Sequence, residues 1–452
     1  MIDRVNSILE QVSGFLWGYP MIVVLLGSGL VLTLYHGFIQ YRGFKLALEL
    51  VLGRHKKSEA PGEVSHFKAL CTALSATVGL GNIAGVAIAI KLGGPGATLW
   101  MILIGLVGMA TKYNECALAC LHRKLDANGR VEGGGPMYYI RLVPGGIPLS
   151  YFYAFFIIMA ALGAANMFQA NQVAVSFNSS FGIPFWLTGL LLTVLTATVI
   201  LGGVKRIAGV AGIIVPVMGG LYVLGCLLVI GFNLGNLPQA LLTIVHDAFT
   251  GTAAVGGFTG AALSATIAAG VRRALFSCEA GLGTAATAHS MVKTDRPVSE
   301  GFVALLEPFV DTVVICTCTA MAINVTGVWQ ADIAGGVEMT TAAFDTIVHG
   351  MGSYFVPVAV FLFAFSSLIS WSLYGEHGAR YLFKSQRSVI IYRIVFCLCP
   401  VLGALWAIMP ILNFSDIALA LLVVPNVWAF LFLSHHVKKA SREYLRELKA
   451  QE

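Results

Sequence analysis

Runs of about twenty apolar residues alternate along the chain with short polar stretches, and this pattern predicts helices that cross a lipid bilayer. A hydrocarbon core demands that length in helical form, because every backbone polar group must find its partner within the segment. The apolar runs predict eleven spans, at about 15-38, 65-91, 96-120, 149-175, 183-202, 210-232, 270-292, 300-323, 353-383, 387-408 and 412-436. The first is too long for a cleaved signal and follows Asp3 and Arg4 rather than a cationic stretch. Two further segments carry apolar residues on one helical face: Ile2, Val5, Ile8, Leu9 and Val12, then Leu237, Leu241, Ile244, Val245 and Phe249. Both predict helices lying in the outer interface.

The polar stretches set an orientation, since Lys and Arg concentrate in cytoplasmic loops. Arg42, Lys45, Arg54, Lys56 and Lys57 follow the first span, Arg123, Lys124, Arg130 and Arg141 the third, and Lys205 and Arg206 the fifth. Lys293 and Arg296 follow the seventh, Arg380, Lys384 and Arg387 the ninth, and Lys438, Lys439, Arg442, Arg446 and Lys449 the last. The loops 233-268 and 324-352 hold no Lys or Arg in the sequence. Alternate loops are therefore basic, which predicts an N-terminus outside and a C-terminus inside. Lys91, Arg272 and Arg273 go against the rule without overturning it.

Composition agrees: 57% of the 452 residues are hydrophobic and 11% charged, with mean hydropathy +0.82. A soluble domain carries about 25% charge. The net charge of +6 is scattered through short loops, so it bears on topology and not on a nucleic-acid partner. All nine cysteines lie within apolar runs, as small buried side chains do.

The glycines carry a hidden repeat. Span two contains Ser75-Ala-Thr-Val-Gly-Leu-Gly-Asn82 and span seven contains Glu279-Ala-Gly-Leu-Gly-Thr284, each with Gly-Leu-Gly in mid-helix. Five spans separate their starts, so the two helices run in opposite directions, and one leading helix plus two blocks of five is the arithmetic of an inverted repeat. Mid-helix glycine weakens the hydrogen-bond ladder, and unwound backbone survives at membrane depth where it is buried or lines a cavity. Freed N–H groups suit a carboxylate and freed carbonyls suit Na⁺, so a zwitterion and a cation would fit together. Gly79 to Ala84 and Gly281 to Ala286 also match the GxGxxA form of a dinucleotide loop, but that loop needs a preceding strand and an acid about 20 residues on, where 99-105 is wholly apolar. Close helix packing on glycine is the plainer alternative.

Charges inside apolar spans are costly and mark candidate sites. Glu279 is either a functional carboxyl or a brace for the unwound backbone. Glu307 and Asp311, four apart, share a face of span eight and serve either an inner gate or pairing with basic residues, the structural role being favoured. Lys112 and Glu115 are expected to snorkel or pair, with no part in transport.

At these residues the chain resembles the alanine/glycine:cation symporters, bacterial and archaeal carriers with the leucine-transporter fold. The likeness covers nearly the whole chain, through Thr77-Val-Gly-Leu-Gly-Asn-Ile-Ala-Gly-Val86, Gly93-Gly-Pro-Gly-Ala97, Gly133-Gly-Gly-Pro-Met-Tyr138, Asn166-Met-Phe-Gln-Ala-Asn171, Phe276-Ser-Cys-Glu-Ala-Gly-Leu-Gly283 and Ala364-Phe-Ser-Ser-Leu-Ile-Ser-Trp371. The resemblance implies a substrate site built from Thr77, Leu80, Gly81 and Asn82, from Ser277, Cys278 and Gly281 opposite, and from Phe168, Gln169 and Trp371 closing over the ligand. It implies a sodium position at the carbonyls of Ser75 and Val78 and the hydroxyls of Ser366 and Ser367. Two residues depart from the family's usual ones: Cys278 stands where Asn is usual and Ala286 where Pro is, which bears on substrate range.

The expectation is therefore an all-α membrane protein with two discontinuous helices. An outer interfacial helix, leading span and linker occupy 1-64, the first repeat 65-232, an extracellular loop 233-269, the second repeat 270-436, and a basic tail 437-452. The expected function is sodium-coupled symport of a small neutral amino acid across the cell inner membrane by alternating access. H⁺ coupling and a glutamine or serine preference remain alternatives. The chain is expected to work as a monomer, without organic cofactor or enzymatic activity. A channel would need a continuous polar path or charged rings, and a membrane enzyme a clustered catalytic constellation.

Overall fold

The computed structural model describes residues 2–54, 60–250, 259–333, 335–406 and 408–451. Lys56 and Lys57 of the expected basic loop, and 251–258 of the expected outer loop, lie outside the described residues. Helix dominates, and a small antiparallel hairpin pairs Lys124–Leu125 with Val131–Gly133. Among the described residues, seven helices are long and apolar enough to cross a membrane, or eight if the bent pair His66–Thr77 and Gly81–Gly93 counts as one span.

Two element ends differ from the hydropathy reading. The helix Thr259–Cys278 starts well before residue 270, because its first turns are mostly Gly, Ala, Ser and Thr, which score as weakly apolar yet tolerate a helix. The last helix, Ile408–Gln451, continues through the segment expected to be a basic tail. That extension is packed: Tyr444 is buried, Ser441 meets the Tyr113 hydroxyl, the Lys438 ammonium sits 3.9 Å from the Tyr35 ring centre, and Arg296 pairs with Glu447 at 2.9 Å.

Loops from distant parts of the sequence meet at two ends. At one, Arg123 donates to the carbonyls of Pro61, Ser290, Val292 and Thr294, and Gly62 N–H donates to Gly129 O. At the other, Gly96 N–H donates to Asp247 Oδ2 at 2.9 Å, Asn236 to Val325 O, and Lys91 to Ala331 O. The unbroken helix Ala97–Leu121, about 37 Å long at 1.5 Å per residue, links the two ends. The first end carries the loops rich in Lys and Arg.

Two helices break, and they run antiparallel: Val64, just before one, pairs with Val292, just after the other. Around them helices touch where glycine permits it. A Cβ on Gly189 would stand 2.9 Å from Val401 Cα, and one on Gly301 2.7 Å from Tyr113 O. The outer faces of Phe185–Ile200, Gly203–Phe232 and Gln386–Leu405 present Leu190, Val194, Leu224, Leu228, Ile391 and Leu398, a continuous apolar surface that suits lipid and not water.

Candidate functional site

The first break follows from Thr77-Val78-Gly79-Leu80. The ladder of His66–Thr77 closes with Val78 N–H on Leu74 O at 2.7 Å, and Val78 itself is extended (φ −72°, ψ 91°). Helix resumes as a wide turn over Gly81–Gly85 and runs on to Gly93, bent by 56° from the first half. Leu80 and Gly81 thus stand at the head of a new helix, where the first N–H groups have no partner within the helix. The Asn82 side chain braces the break: its Oδ1 accepts Gly79 N–H at 2.8 Å, and its amide donates to Asp311 Oδ1 at 2.8 Å and Asp311 O at 3.1 Å.

The second break is longer. Thr259–Cys278 ends, residues 279–285 are irregular, and a short turn Ala286–His289 follows. Glu279, Gly281 and Gly283 have φ of 52°, 94° and 77°, a left-handed backbone that glycine adopts at little cost and glutamate does not. Side chains from neighbouring helices satisfy freed carbonyls: Tyr153 donates to Leu282 O at 2.7 Å and Asn426 to Gly281 O at 2.8 Å, while within the break Thr284 donates to the Glu279 carboxylate at 2.5 Å. Asp311 joins the two breaks, since its second oxygen accepts the Ser277 hydroxyl at 2.8 Å.

A cavity of about 30 Å³ lies between the breaks. Ala76, Thr77, Gly79 and Gly81 line it from the first, and Phe276 and Glu279 from the second. Ala164, Ala165 and Gln169 of Gly146–Phe181 close one side, Trp371 and Leu419 the other. Gln169 Oε1 is buried with no hydrogen-bond partner, an acceptor left open beside the void.

Of the residues expected at a substrate site, Thr77, Gly81, Gln169 and Trp371 face this cavity, as does Glu279. Asn82 and Ser277 do not; Asp311 takes both side chains, because a buried carboxylate draws the nearest donors. Leu80 and Cys278 are buried away from the lining, and Cys278 packs towards Gly108. Gly281 turns towards Leu25, and Phe168 is half-buried outside the lining. The sequence reading passed over Ala164 and Ala165. The signal for them was Gly163-Ala-Ala, small residues inside an otherwise bulky apolar helix, where the chain makes a wide turn over Gly163–Met167.

Beside Gly79, oxygens converge. Ser75 Oγ donates to Ser366 O at 2.6 Å, Ser366 Oγ lies 3.2 Å from Ser75 O, and Ser367 Oγ lies 3.4 Å from Ala76 O. Neutral hydroxyl and carbonyl oxygens are the donors a hard monovalent cation takes. Val78 is buried at the same turn. Glu307 stands apart from the cavity lining, with its carboxylate 2.9 Å from the Lys112 ammonium. Asp311 likewise serves as a brace and not as part of the lining.

The sequence pattern of the sodium:alanine symporter family matches residues 2–452. A sodium/alanine symporter of Methanococcus maripaludis is 39% identical over 449 residues, covering 97% of each chain. A probable sodium/glutamine symporter of Bacillus subtilis is 36% identical over 452 residues, covering 98% of this chain and 92% of its own. Among solved structures, MhsT in complex with L-phenylalanine superposes with TM-score 0.58 at 18% identity, over 82% of this chain and 89% of that one. A manganese transporter of Eremococcus coleocola gives TM-score 0.53 at 15% identity, over 81% and 79%. The fold is thus of the leucine-transporter type.

Proposed function

The chain belongs to the sodium:alanine symporter family, a transporter and not an enzyme, and on that premise we propose that it carries alanine or glycine into the cell together with Na⁺ by alternating access. The observation that carries the reading is the cavity between two interrupted helices, with main chain on one wall, an open amide acceptor at Gln169 and a carboxylate at Glu279. The amino-acid carboxylate takes the N–H groups of Leu80 and Gly81, and its ammonium faces Gln169 Oε1 and Glu279. Na⁺ takes the oxygens of Ser75, Val78, Ser366 and Ser367. A void of about 30 Å³ holds about two waters, so its walls must move apart even for glycine with its five non-hydrogen atoms, and the smallest side chains require the least movement.

Eleven spans complete this architecture. To the eight counted by length and composition we add Ala97–Leu121, Phe185–Ile200 and the broken Thr259–His289 stretch, giving a leading helix and two inverted blocks of five. The basic end faces the cytoplasm.

One cation moving down ~100 mV releases about 2.3 kcal/mol, and a tenfold sodium gradient adds about 1.4. One-to-one coupling therefore sustains up to several hundredfold accumulation of a neutral substrate. The test is uptake of labelled alanine into proteoliposomes, with and without an inward Na⁺ gradient, against a panel of unlabelled glycine, serine and glutamine. Accumulation that ignores the gradient would rule out sodium coupling, and stronger competition by glutamine than by glycine would overturn the size argument.

A further inference from the structure

A second polar assembly lies outside the cavity lining. His66, at the start of the first interrupted helix, contacts Glu300 Oε2 through Nδ1, and His289, at the end of the second, reaches Glu300 Oε1 at 2.7 Å. The far side of the His289 ring stands 3.6 Å from Glu307 Oε2, and Glu307 Oε1 is 2.9 Å from Lys112. His289, Glu300, Glu307 and Lys112 have no exposed side-chain surface, whereas His66 is 11% exposed and lines a crevice of about 690 Å³ at the basic end. The assembly therefore runs from that crevice into the bundle interior.

His289 fixes the chemistry. Both of its ring nitrogens face carboxylates, yet a neutral imidazole donates from one nitrogen and presents a lone pair at the other. A carboxylate against that lone pair is repulsive, so the unit needs one proton more, either as an imidazolium or as a carboxylic acid. His289 Nε2 and Glu307 Oε2 both lack a hydrogen-bond partner although they face each other, so this link is slack. The surroundings do not supply the missing charge. On Ala97–Leu121, Lys112 already serves Glu307 and has Glu115 and Glu279 within electrostatic reach, while Tyr113, Cys116 and Cys120 are buried neutral groups. Asp311, on the same helix as Glu307, adds negative charge, and the buried Tyr374 of Met351–Phe383 adds none. Arg123 spends its guanidinium on four carbonyls. Glu63, Lys68, Lys205, Lys293 and Asp295 line the crevice, and Lys45 is exposed beside Glu49 on Phe44–Val51, so water screens them. Five buried carboxyls (Glu115, Glu279, Glu300, Glu307 and Asp311) thus share one lysine and two histidines.

We propose that Glu300, His289 and Glu307 form a proton-binding site, filled from the crevice through His66, whose occupancy holds the inner ends of the two interrupted helices together. A proton from crevice water enters on His66 Nε2 as the ring gives up its Nδ1 proton to Glu300, and His289 repeats the exchange between Glu300 and Glu307, which leaves Glu307 as the carboxylic acid; His66 then regains its Nδ1–H by returning the Nε2 proton to crevice water and taking one up at Nδ1. The net change is one positive charge gained by the unit, with only N–H and O–H bonds made and broken. Loss of the proton leaves a neutral His289, with a single N–H, between the two carboxylates of Glu300 and Glu307, and loosens the clasp from His66 to His289. The inner end then opens more readily at alkaline inner pH.

Only the transport readout rests on the carrier reading. In oriented proteoliposomes at fixed sodium gradient, initial alanine uptake is expected to rise with internal pH, by up to tenfold per unit for a single proton, and to be insensitive to external pH. Glu307→Gln, which keeps the shape, should flatten the internal response to under about twofold. A second readout needs no transport: infrared difference spectra of the purified wild type across a pH step should show a protonated-carboxyl band that Glu307→Gln lacks. His66→Gln, at the crevice mouth, should slow the appearance of that band without removing it. A response to external pH equal to the internal one, an unaltered profile in Glu307→Gln, or a wild-type spectrum without a titrating carboxyl would overturn the proposal. Wild-type protein that moves no amino acid would count against the carrier reading alone, leaving the spectra to decide the proton site.

Discussion

The two interrupted helices share the Gly-Leu-Gly signature but solve different problems. The break after Thr77 is short, has helix on both sides, and turns main chain towards the cavity, with one side chain, Asn82, bracing it from behind. The break after Cys278 is seven residues of irregular backbone with three left-handed residues; Tyr153 and Asn426 occupy two of its freed carbonyls, and Thr284 holds the Glu279 carboxylate. Leaving backbone groups open in a membrane costs several kcal/mol each, so a break can offer them to a ligand only where other groups fix its shape. The first break is thus available for binding and the second is a hinge-like scaffold that contributes Glu279 and Phe276. Asp311 couples them.

If that division holds, glycine substitutions should fail for different reasons in the two breaks. Gly283 has φ of 77°, and a Cβ there would stand 2.7 Å from Pro136 Cγ and 2.8 Å from Asn426 Oδ1. Gly283→Ala combines backbone strain with overpacking and should cost about 3 kcal/mol or more. The expected result is little monodisperse protein on size exclusion in mild detergent; a normally eluting, transport-competent Gly283→Ala would end the scaffold assignment.

Next in size is the residue joining the breaks. Asp311→Ala removes the carboxylate acceptor of Asn82, Ser277 and Thr312 at once; Asn82 keeps the main-chain oxygen of residue 311, while the Ser277 and Thr312 hydroxyls lose their carboxylate partner at about 1–3 kcal/mol each before relaxation. Thermal stability should fall by several degrees, and alanine binding should weaken because Asn82, held by one bond fewer, positions Gly79 less firmly. Asp311→Asn, which keeps one acceptor oxygen, should recover part of the stability. Equal losses in both variants would mean that the carboxylate charge, and not the bracing, is what matters.

Gly81→Ala discriminates more finely. Its Cβ would sit 3.5 Å from Ser277 Cα and 3.7 Å from Phe276 Cδ1, ordinary contact distances, at a backbone conformation open to alanine. Folding should be unchanged, but the new methyl enters a cavity of about 30 Å³. Discrimination by one methyl group is worth about 1–3 kcal/mol, so alanine uptake should drop about tenfold relative to glycine uptake. An unchanged alanine-to-glycine ratio of kcat/KM would remove Gly81 from the site.

Much of this contrast was legible in the sequence. Helix positions follow from the apolar runs, because lipid imposes a length, and the breaks follow from Gly79, Gly81, Gly281 and Gly283, because glycine in mid-span has few other uses. Less visible was which polar side chains face the void. Asn82 and Ser277 have the right chemistry and the right neighbourhood, yet Asp311, more than two hundred residues from Asn82, captures both; only three-dimensional proximity decides between a ligand and a carboxylate as their partner. The pairing of His66 and His289 through Glu300 was hidden for the same reason, since more than two hundred residues separate the two histidines. The closing helix was underestimated because hydropathy ends at the membrane, whereas Tyr444 and Ser441 pack beyond it.

The smallest effect concerns the ion and tests whether the first break serves two ligands. Ser367 Oγ lies 3.0 Å from Phe363 O and 3.4 Å from Ala76 O, and a Cβ on Gly79 would come within 2.8 Å of it, so the hydroxyl sits against the unwound turn. Ser367→Ala deletes one neutral oxygen from the proposed sodium shell and one hydrogen bond worth about 1 kcal/mol. The remaining carbonyls and Ser366 keep the shell mostly intact, so transport should survive with a sodium half-saturation raised about fivefold, a change of about 1 kcal/mol. Alanine affinity measured at saturating sodium should stay near that of wild type, because Ser367 is not part of the cavity lining. If instead sodium dependence is unaltered while alanine binding weakens, the oxygens beside Gly79 serve the substrate wall, and the cation must be sought at another part of the break.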